Sequence, residues 1–288
     1  MNGLWRIDLG MPALVEFRGP DAVRYLNGQL TQDVRRVAGA NIALPSCVTD
    51  AKGCLQFRVW LTEADGGALW VEGPAQRAAE LEARLTRYLI ADDVETVDLT
   101  GKWSLAHFTG VPPQAPAGVR VRQNVRFGVA GTDWWIPAGI ESGFPADVPL
   151  LKGDGLEAFR ITRGAPAWGR ELSQGMLPPE AGLDATDISY HKGCYIGQEV
   201  ISRIKYAGKV NKRLVCMIFD AGVPPEGGEL VDAAGKSAGS LTSVSPALEQ
   251  GMRNAMGYVK RGVNEVFLVT PDGIRHPAKL RLGGSYPG

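Results

Sequence analysis

The chain is poor in histidine, carries no excess charge of either sign and has no long apolar run. Thirty-one Lys and Arg residues balance 31 Asp and Glu over 288 residues. That balance argues against wholesale electrostatic capture of nucleic acid or a membrane surface, and leaves room for local patches. No uninterrupted apolar stretch approaches the length of a membrane span. Met1 to Asp8 include an early acid and no apolar run, so no signal peptide is visible. The four cysteines, Cys47, Cys54, Cys194 and Cys216, include no Cys-x-x-Cys pair. Their spacing argues against a disulfide framework, a zinc site or an iron–sulfur cluster held by local thiolates, and fits a reducing, cytoplasmic setting. Of the three histidines only His191 lies near a cysteine in sequence, so a Cys–His hydrolase has thin support.

What is present is the composition of an ordinary globular protein, 44% hydrophobic and 22% charged, with length for about two domains. Leu14 to Phe17 reads as a short strand. Gly19-Pro20-Asp21 opens a helix whose Val23, Leu26, Leu30 and Val34 fall on one face. Cys54 to Leu61 alternates apolar and polar residues, as a half-buried strand does, and Leu69 to Glu72 reads as another. A second helix follows Gly73-Pro74, with Ala78, Leu81, Leu85 and Leu89 on one side. Trp134 and Trp135 close a further strand, where they read as packing residues. This order suggests an α+β arrangement with helices covering one face of an antiparallel sheet. From Leu214 onward, short apolar runs separated by Gly, Pro, Asp and Ser suit a small antiparallel barrel or sandwich, with a domain boundary near Gly208.

The most informative segment is Lys192-Gly193-Cys194-Tyr195-Ile196-Gly197-Gln198-Glu199. A thiol becomes a nucleophile or metal ligand only as the thiolate, which nearby cations and a helix start favour. Lys192 supplies the cation, and the helix read from Gly197 to Gly208 supplies the start. The plain alternative for Cys194 is an inert, buried small hydrophobe. Between His191 and Arg213 the cations Lys192, Arg203, Lys205, Lys209, Lys212 and Arg213 face one acid, Glu199. Such a run is either a solvated face or an anion site for carboxylates or phosphates. Lys52-Gly53-Cys54 repeats the tripeptide, and reads as a turn feeding a strand.

The octapeptide resembles the signature of the YgfZ family, folate-binding relatives of the glycine-cleavage T-protein. Gly19-Pro20-Asp21-Ala22 with Leu30-Thr31-Gln32-Asp33-Val34 resembles the family's opening helix. Asp50-Ala51-Lys52-Gly53 resembles the turn before its second domain, and Leu177 to Leu183 the approach to the signature. The resemblance implies an α+β, T-protein-like ring of three domains around a central folate channel, with a C-terminal antiparallel β-barrel. The expected division is 1–48 plus 101–207, with 49–100 inserted and 208–288 as the barrel. It further implies tetrahydrofolate, or another reduced folate, as cofactor. The expected partners are iron–sulfur enzymes or their assembly machinery, including enzymes that thiolate tRNA, with neither a membrane nor direct nucleic-acid binding involved.

By the same resemblance Cys194 and Lys192 carry the chemistry. Gly193, Tyr195, Gly197, Gln198, Glu199, Arg203, Lys205 and Lys209 surround the folate, and Glu180 corresponds to the pteridine-binding glutamate. Without the resemblance Glu180 reads as a helix-start acid after two prolines. The acidic pair that T-proteins use for aminomethyl transfer falls on Gln56 and Phe57, neither of which is an acid or base. The alternatives are a folate-dependent transferase or demethylase that recruits a carboxylate elsewhere, and a folate-independent scaffold.

Overall fold

The computed structural model describes residues 3–110, 112, 114–208, 210–224 and 227–282. The chain separates into two compact units, Met1–Leu151 with Thr186–Ser202, and Lys152–Ala185 with Arg203–Gly288. Among the described residues the four α-helices are α1 (Ala22–Gln29), α2 (Ala78–Thr86), α3 (Gly153–Arg163) and α4 (Gln198–Ala207). Among the described residues no helix is long and apolar enough to cross a membrane.

The first unit holds β1 (Trp5–Gly10), β2 (Ala13–Arg18), β3 (Ala43–Thr49), β4 (Leu55–Glu63) and β5 (Leu69–Gly73). After them come β6 (Glu95–Asp98), β7 (Trp103–Thr109), β8 (Arg120–Asn124) and β9 (Gly131–Pro137). They form two sheets, ordered β3-β4-β5-β2-β6 and β1-β7-β9-β8, with antiparallel ladders throughout. The alternation read in β4 is real: Leu55, Phe57, Val59 and Leu61 are buried, while Gln56, Arg58 and Trp60 are partly exposed. One face of the five-stranded sheet packs on α1 and α2 through Phe17, Leu26, Val59, Leu81 and Leu85. Its other face sets Leu14 and Trp70 against Leu105 and Trp135 of the four-stranded sheet. Each fully buried side chain of this size contributes about 1.5–3 kcal/mol, so the unit rests on two sandwiched cores. Trp134 and Trp135 are completely enclosed, as the packing reading expected.

One expectation fails at α1. The apolar spacing carries the helix on through Leu30 to Val34, but it stops at Gln29 and Leu30 is extended, with φ −110° and ψ 148°. Leu30 and Val34 are still fully buried, so their spacing marks a continuing core rather than a continuing helix. A cause lies in the carbonyls of this stretch, which are claimed from outside the helix.

In the second unit, α3 precedes β10 (Lys212–Phe219), β11 (Glu229–Val231), β12 (Gly239–Glu249) and β13 (Met252–Lys260). The last strands are β14 (Phe267–Val269), β15 (Arg275–Pro277) and β16 (Lys279–Leu282). These make two antiparallel sheets, β12-β13-β10-β16 and β11-β14-β15, sharing a core of Met217, Phe219, Leu230, Ala255 and Leu268. No closed barrel is found among the described residues. Helix α3 covers the other face of the larger sheet, where Ile161 meets Leu214, Met256 and Tyr258. Arg160 reaches through this layer to Glu171 at 2.9 Å and Ser243 at 2.8 Å. The architecture is α+β with antiparallel sheets.

Candidate functional site

The signature segment is held on the first unit by its own donors and acceptors. The Lys192 ammonium donates to the carbonyl oxygens of Asn27 at 2.6 Å, Leu30 at 2.7 Å and Gln32 at 2.8 Å. The Ile196 amide donates to the Gly28 carbonyl at 3.1 Å. A helix leaves its last carbonyls without intrahelical partners, and a lysine is a natural cap for them. Here the motif supplies the cap of α1, and the carbonyls it claims turn the chain out of the helix after Gln29.

Burial pulls the Lys192 pKa down to about 7, with Asp33 opposing and Arg35 adding to the fall. Three carbonyl acceptors match the three protons of the ammonium form and favour it. All of its donors are thereby engaged with the α1 end.

Further staples flank the loop. The Thr31 hydroxyl donates to the Asp187 carbonyl at 2.7 Å and accepts from the Cys47 amide at 2.8 Å. Ser189 donates its amide to the Thr31 carbonyl at 3.0 Å. Arg58 grips the Asp187 carboxylate with two bonds, at 2.7 and 3.1 Å, beneath the surface. Thr49, at the end of β3, donates its hydroxyl to the Ile196 carbonyl at 2.6 Å.

Two glycines then meet. Gly197 has φ +88°, and a Cβ there would stand 2.5 Å from the Asp50 oxygen and 2.8 Å from Gly53 Cα. Gly53, at φ +74°, is less crowded, with a Cβ there 3.2 Å from the Gly197 oxygen and 3.2 Å from Val200. The Lys52-Gly53-Cys54 turn does feed a strand, and it is also the seat of the signature. Sequence alone gave no sign of that contact; the only available hint was the pair of glycines.

Against this fixed frame Cys194 is exposed. It lies four residues before the first residue of α4, and its sulfur makes no hydrogen bond among the described residues. Cys47 and Cys216 are buried, and burial pushes both thiols up. Gly193 is open: a Cβ there would meet nothing within 4 Å. Tyr195 is buried beside Ile188 and Ile201, with its ring 5.2 Å from the Lys192 ammonium. Burial raises its phenol pKa, and the hydroxyl has no hydrogen-bond partner among the described residues. Gln198 and Glu199 begin α4, and their side chains form no hydrogen bond among the described residues. Helix α4 ends at Ala207, where the Gly208 amide closes on the Ile204 carbonyl at 2.8 Å. Ile201 is its buried residue, while Arg203 and Lys205 are exposed. Lys209 lies outside the described residues.

Glu180 belongs to the second unit, in a short 3-10 turn, Pro178–Ala181. The turn bears out its placement just after two prolines. It is buried, and that burial raises its pKa, with Lys212 and the Leu177 amide pulling the other way. Gln56 accepts from Arg84 Nε at 2.6 Å. Phe57 is core, with the Arg77 guanidinium 4.1 Å above its ring. Both positions are committed to packing.

A cavity of about 590 Å³ opens elsewhere in the first unit, and no sequence motif marks it. Ile42–Pro45, Asn124, Val125 and Ala130–Thr132 are among its lining residues. Behind Gly131, where a Cβ would collide with the His107 ring at 2.5 Å, lies a buried charge cluster. Arg126 bonds Asp133 at 2.8 and 3.0 Å and Glu72 at 2.9 Å. Asp133 also meets His107 Nδ1 at 2.9 Å. The side-chain nitrogen of Asn124 is buried without a hydrogen-bond partner among the described residues.

Fold and site together define an α+β protein that presents one thiol on a stapled loop. The fold is that of the glycine cleavage system aminomethyltransferase T from Bartonella henselae. The match has a TM-score of 0.77 at 17% identity, covering 98% of this chain and 85% of that one. In sequence the chain is similar to the tRNA-modifying protein YgfZ of Klebsiella pneumoniae, 28% identical over 75% of this chain and 72% of that protein. It is also similar to the mitochondrial iron–sulfur cluster assembly factor IBA57 homolog of Neurospora crassa. There the identity is 27% over 84% of this chain and 60% of that protein, so the chain spans less than two-thirds of that relative. No protein-family model matches. The chain thus resembles YgfZ-type proteins over most of its length and carries a T-protein-like fold.

Proposed function

We propose that this protein is a cytoplasmic, folate-binding protein of the YgfZ type. Its Cys194 supports the assembly or repair of iron–sulfur enzymes, including those that thiolate tRNA. The observation that carries this reading is the arrangement of the signature. Lys192, Ile196 and Gly197 are spent on fixing the loop to α1, β3 and the Gly53 turn, and the thiol is left exposed on that frame. A structural cysteine has no need of such a frame, whereas a thiol that must meet a partner's cluster or a one-carbon adduct does. The three-domain division around a folate channel belongs to the same reading, as do contacts of Arg203, Lys205 and Lys209 with a folate tail or an acidic partner.

Two features of the described residues suit a reduced folate. Glu180 is a buried carboxylate of raised pKa, able to accept hydrogen bonds from an amino group and a ring N–H. The cavity lined by Asn124 offers apolar walls, which suit a flat heteroaromatic ring. Gln56 and Phe57 supply no carboxylate, which favours this reading over aminomethyl transfer.

Calorimetric titration with tetrahydrofolate under anaerobic conditions tests the cofactor. Saturable binding is expected, weakened about tenfold or more when a buried polar contact to the ring is removed by Glu180→Gln or Asn124→Ala. Whichever variant loses affinity locates the ring. Absence of heat with every reduced folate would leave the thiol frame standing and remove the cofactor.

A further inference from the structure

The second unit has a feature that the thiol and the folate do not use. A cavity of about 410 Å³ opens at the end of β10 and β13, next to Gly208. Lys212, Arg213, Lys260, Arg261 and Arg281 line it, and no acidic side chain does. Lys212 and Lys260 stand directly opposite each other across the β10–β13 ladder, a placement that is destabilising for like charges.

None of the five has an ion pair among the described residues. The Lys212 ammonium lies 4.6 Å over the Tyr258 ring, on the side from which it also feels Glu180. Lys260 is held by the Ser237 carbonyl at 2.9 Å, and Arg281 by the Thr162 carbonyl at 2.7 Å. The guanidinium groups of Arg213 and Arg261 are exposed and make no hydrogen bond among the described residues. Lys212 and Arg281 thus turn their charged ends to the α3 face, whereas Arg213 pairs with Val259 on the other face, where the cavity lining is aliphatic, from Val210, Val215, Val259 and Val263. Leu280, 37% exposed, forms part of the rim.

We infer that this end of the sheet docks an acidic segment of a partner protein, its carboxylates on the cationic rim and an aliphatic side chain on the valine floor. Charge complementarity selects an anion. Among the described residues no aromatic side chain lines the cavity, so these offer single-stranded nucleic acid no platform on which to stack its bases. A compact phosphate fits less well, because the helix end that reaches Gly208 is the carboxyl end of α4, whose partial charge is negative. Arg213 on β10 and Arg261 in the turn after β13 match carboxylates spaced along a peptide. Arginine is among the residues enriched at protein interfaces.

The inference rests on neither Cys194 nor folate, and its test reads binding alone. A fluorescein-labelled short peptide of alternating Glu and Leu is titrated with the full chain and followed by anisotropy. Saturable binding that weakens with salt is expected. Arg213→Glu and Arg261→Glu should each weaken it about tenfold, and Lys102→Glu, the same charge change elsewhere, by no more than about twofold. Arg213→Gln and Arg261→Gln give the same order should a charge reversal perturb folding, which circular dichroism reports. Repeating the titration with Cys194→Ala separates this surface from the thiol, and unchanged affinity is expected. No binding to the wild type, or binding indifferent to Arg213 and Arg261, overturns the inference. Tighter binding of oligouridylate than of the peptide through the same two arginines also overturns it and gives the surface to nucleic acid.

Discussion

Lys192 is the residue on which the site turns. Its three bonds to Asn27, Leu30 and Gln32 cap α1 and anchor the loop together. Lys192→Met keeps the bulk but leaves buried carbonyls unpaired, at a cost of about 2–4 kcal/mol, read by urea denaturation. The motif's spelling singles out this lysine without showing its task. A lysine two residues from a cysteine suggests a cation beside a thiolate, whereas its donors go to the helix end. Sequence distance is a poor guide here because an extended loop points successive side chains in different directions.

Asp133 offers a second residue-scale test. Burial pushes its carboxyl up, but Arg126 and His107 outweigh that and hold it at about 2, below the ordinary 3.8. The folded value is the lower one, so the stabilisation is present above pH 3.8 and disappears as pH falls towards 2. The loss is on the order of 2 kcal/mol. Acid titration of stability should show this step in the wild type and not in Asp133→Asn.

At the scale of elements, the contact between the signature and the Gly53 turn makes the sharpest demand. Gly197→Ala forces a Cβ to within 2.5 Å of the Asp50 oxygen at positive φ, with an expected loss of about 2 kcal/mol or more. Gly193→Ala meets nothing within 4 Å and is expected to change stability by less than about 0.5 kcal/mol. Thermal unfolding of the two variants separates the glycine that geometry requires from the one it does not. Their spelling is equivalent, so the sequence does not distinguish them.

Elements whose signal is local were legible. The alternation of β4, the Ala78, Leu81 and Leu85 stripe of α2 and the short runs of β10 and β13 appear where periodicity places them, while Leu89 lies beyond the end of α2. The end of α1 was not, because Leu30 and Val34 keep a helical spacing while serving a core beyond the helix. The termination is set by donors some 160 residues away in the chain, which no local pattern records.

At the scale of the molecule, the first unit gathers its two sheets and the signature segment into a rigid platform for one thiol. The second unit carries Glu180 and the cationic cavity. The resemblance carried by eight residues anticipated the T-protein-like fold over 98% of the chain, because a motif that staples distant segments is tied to the fold it staples. The cavity beside Asn124 and the Arg126 cluster escaped sequence reading. Their members are scattered over β3, β5, β7, β8 and β9 and carry no motif.

The most direct measurement replaces the one exposed cysteine. In cells lacking their own YgfZ-type protein, the activity of an iron–sulfur enzyme that thiolates tRNA is followed while wild type, Cys194→Ala or Cys216→Ala is supplied at equal abundance. The account predicts restoration by the wild type and Cys216→Ala, and a loss of about tenfold or more with Cys194→Ala, as for removal of a reacting group. Full restoration by Cys194→Ala would contradict it, and the stapled loop would then stand as a contact surface without thiol chemistry.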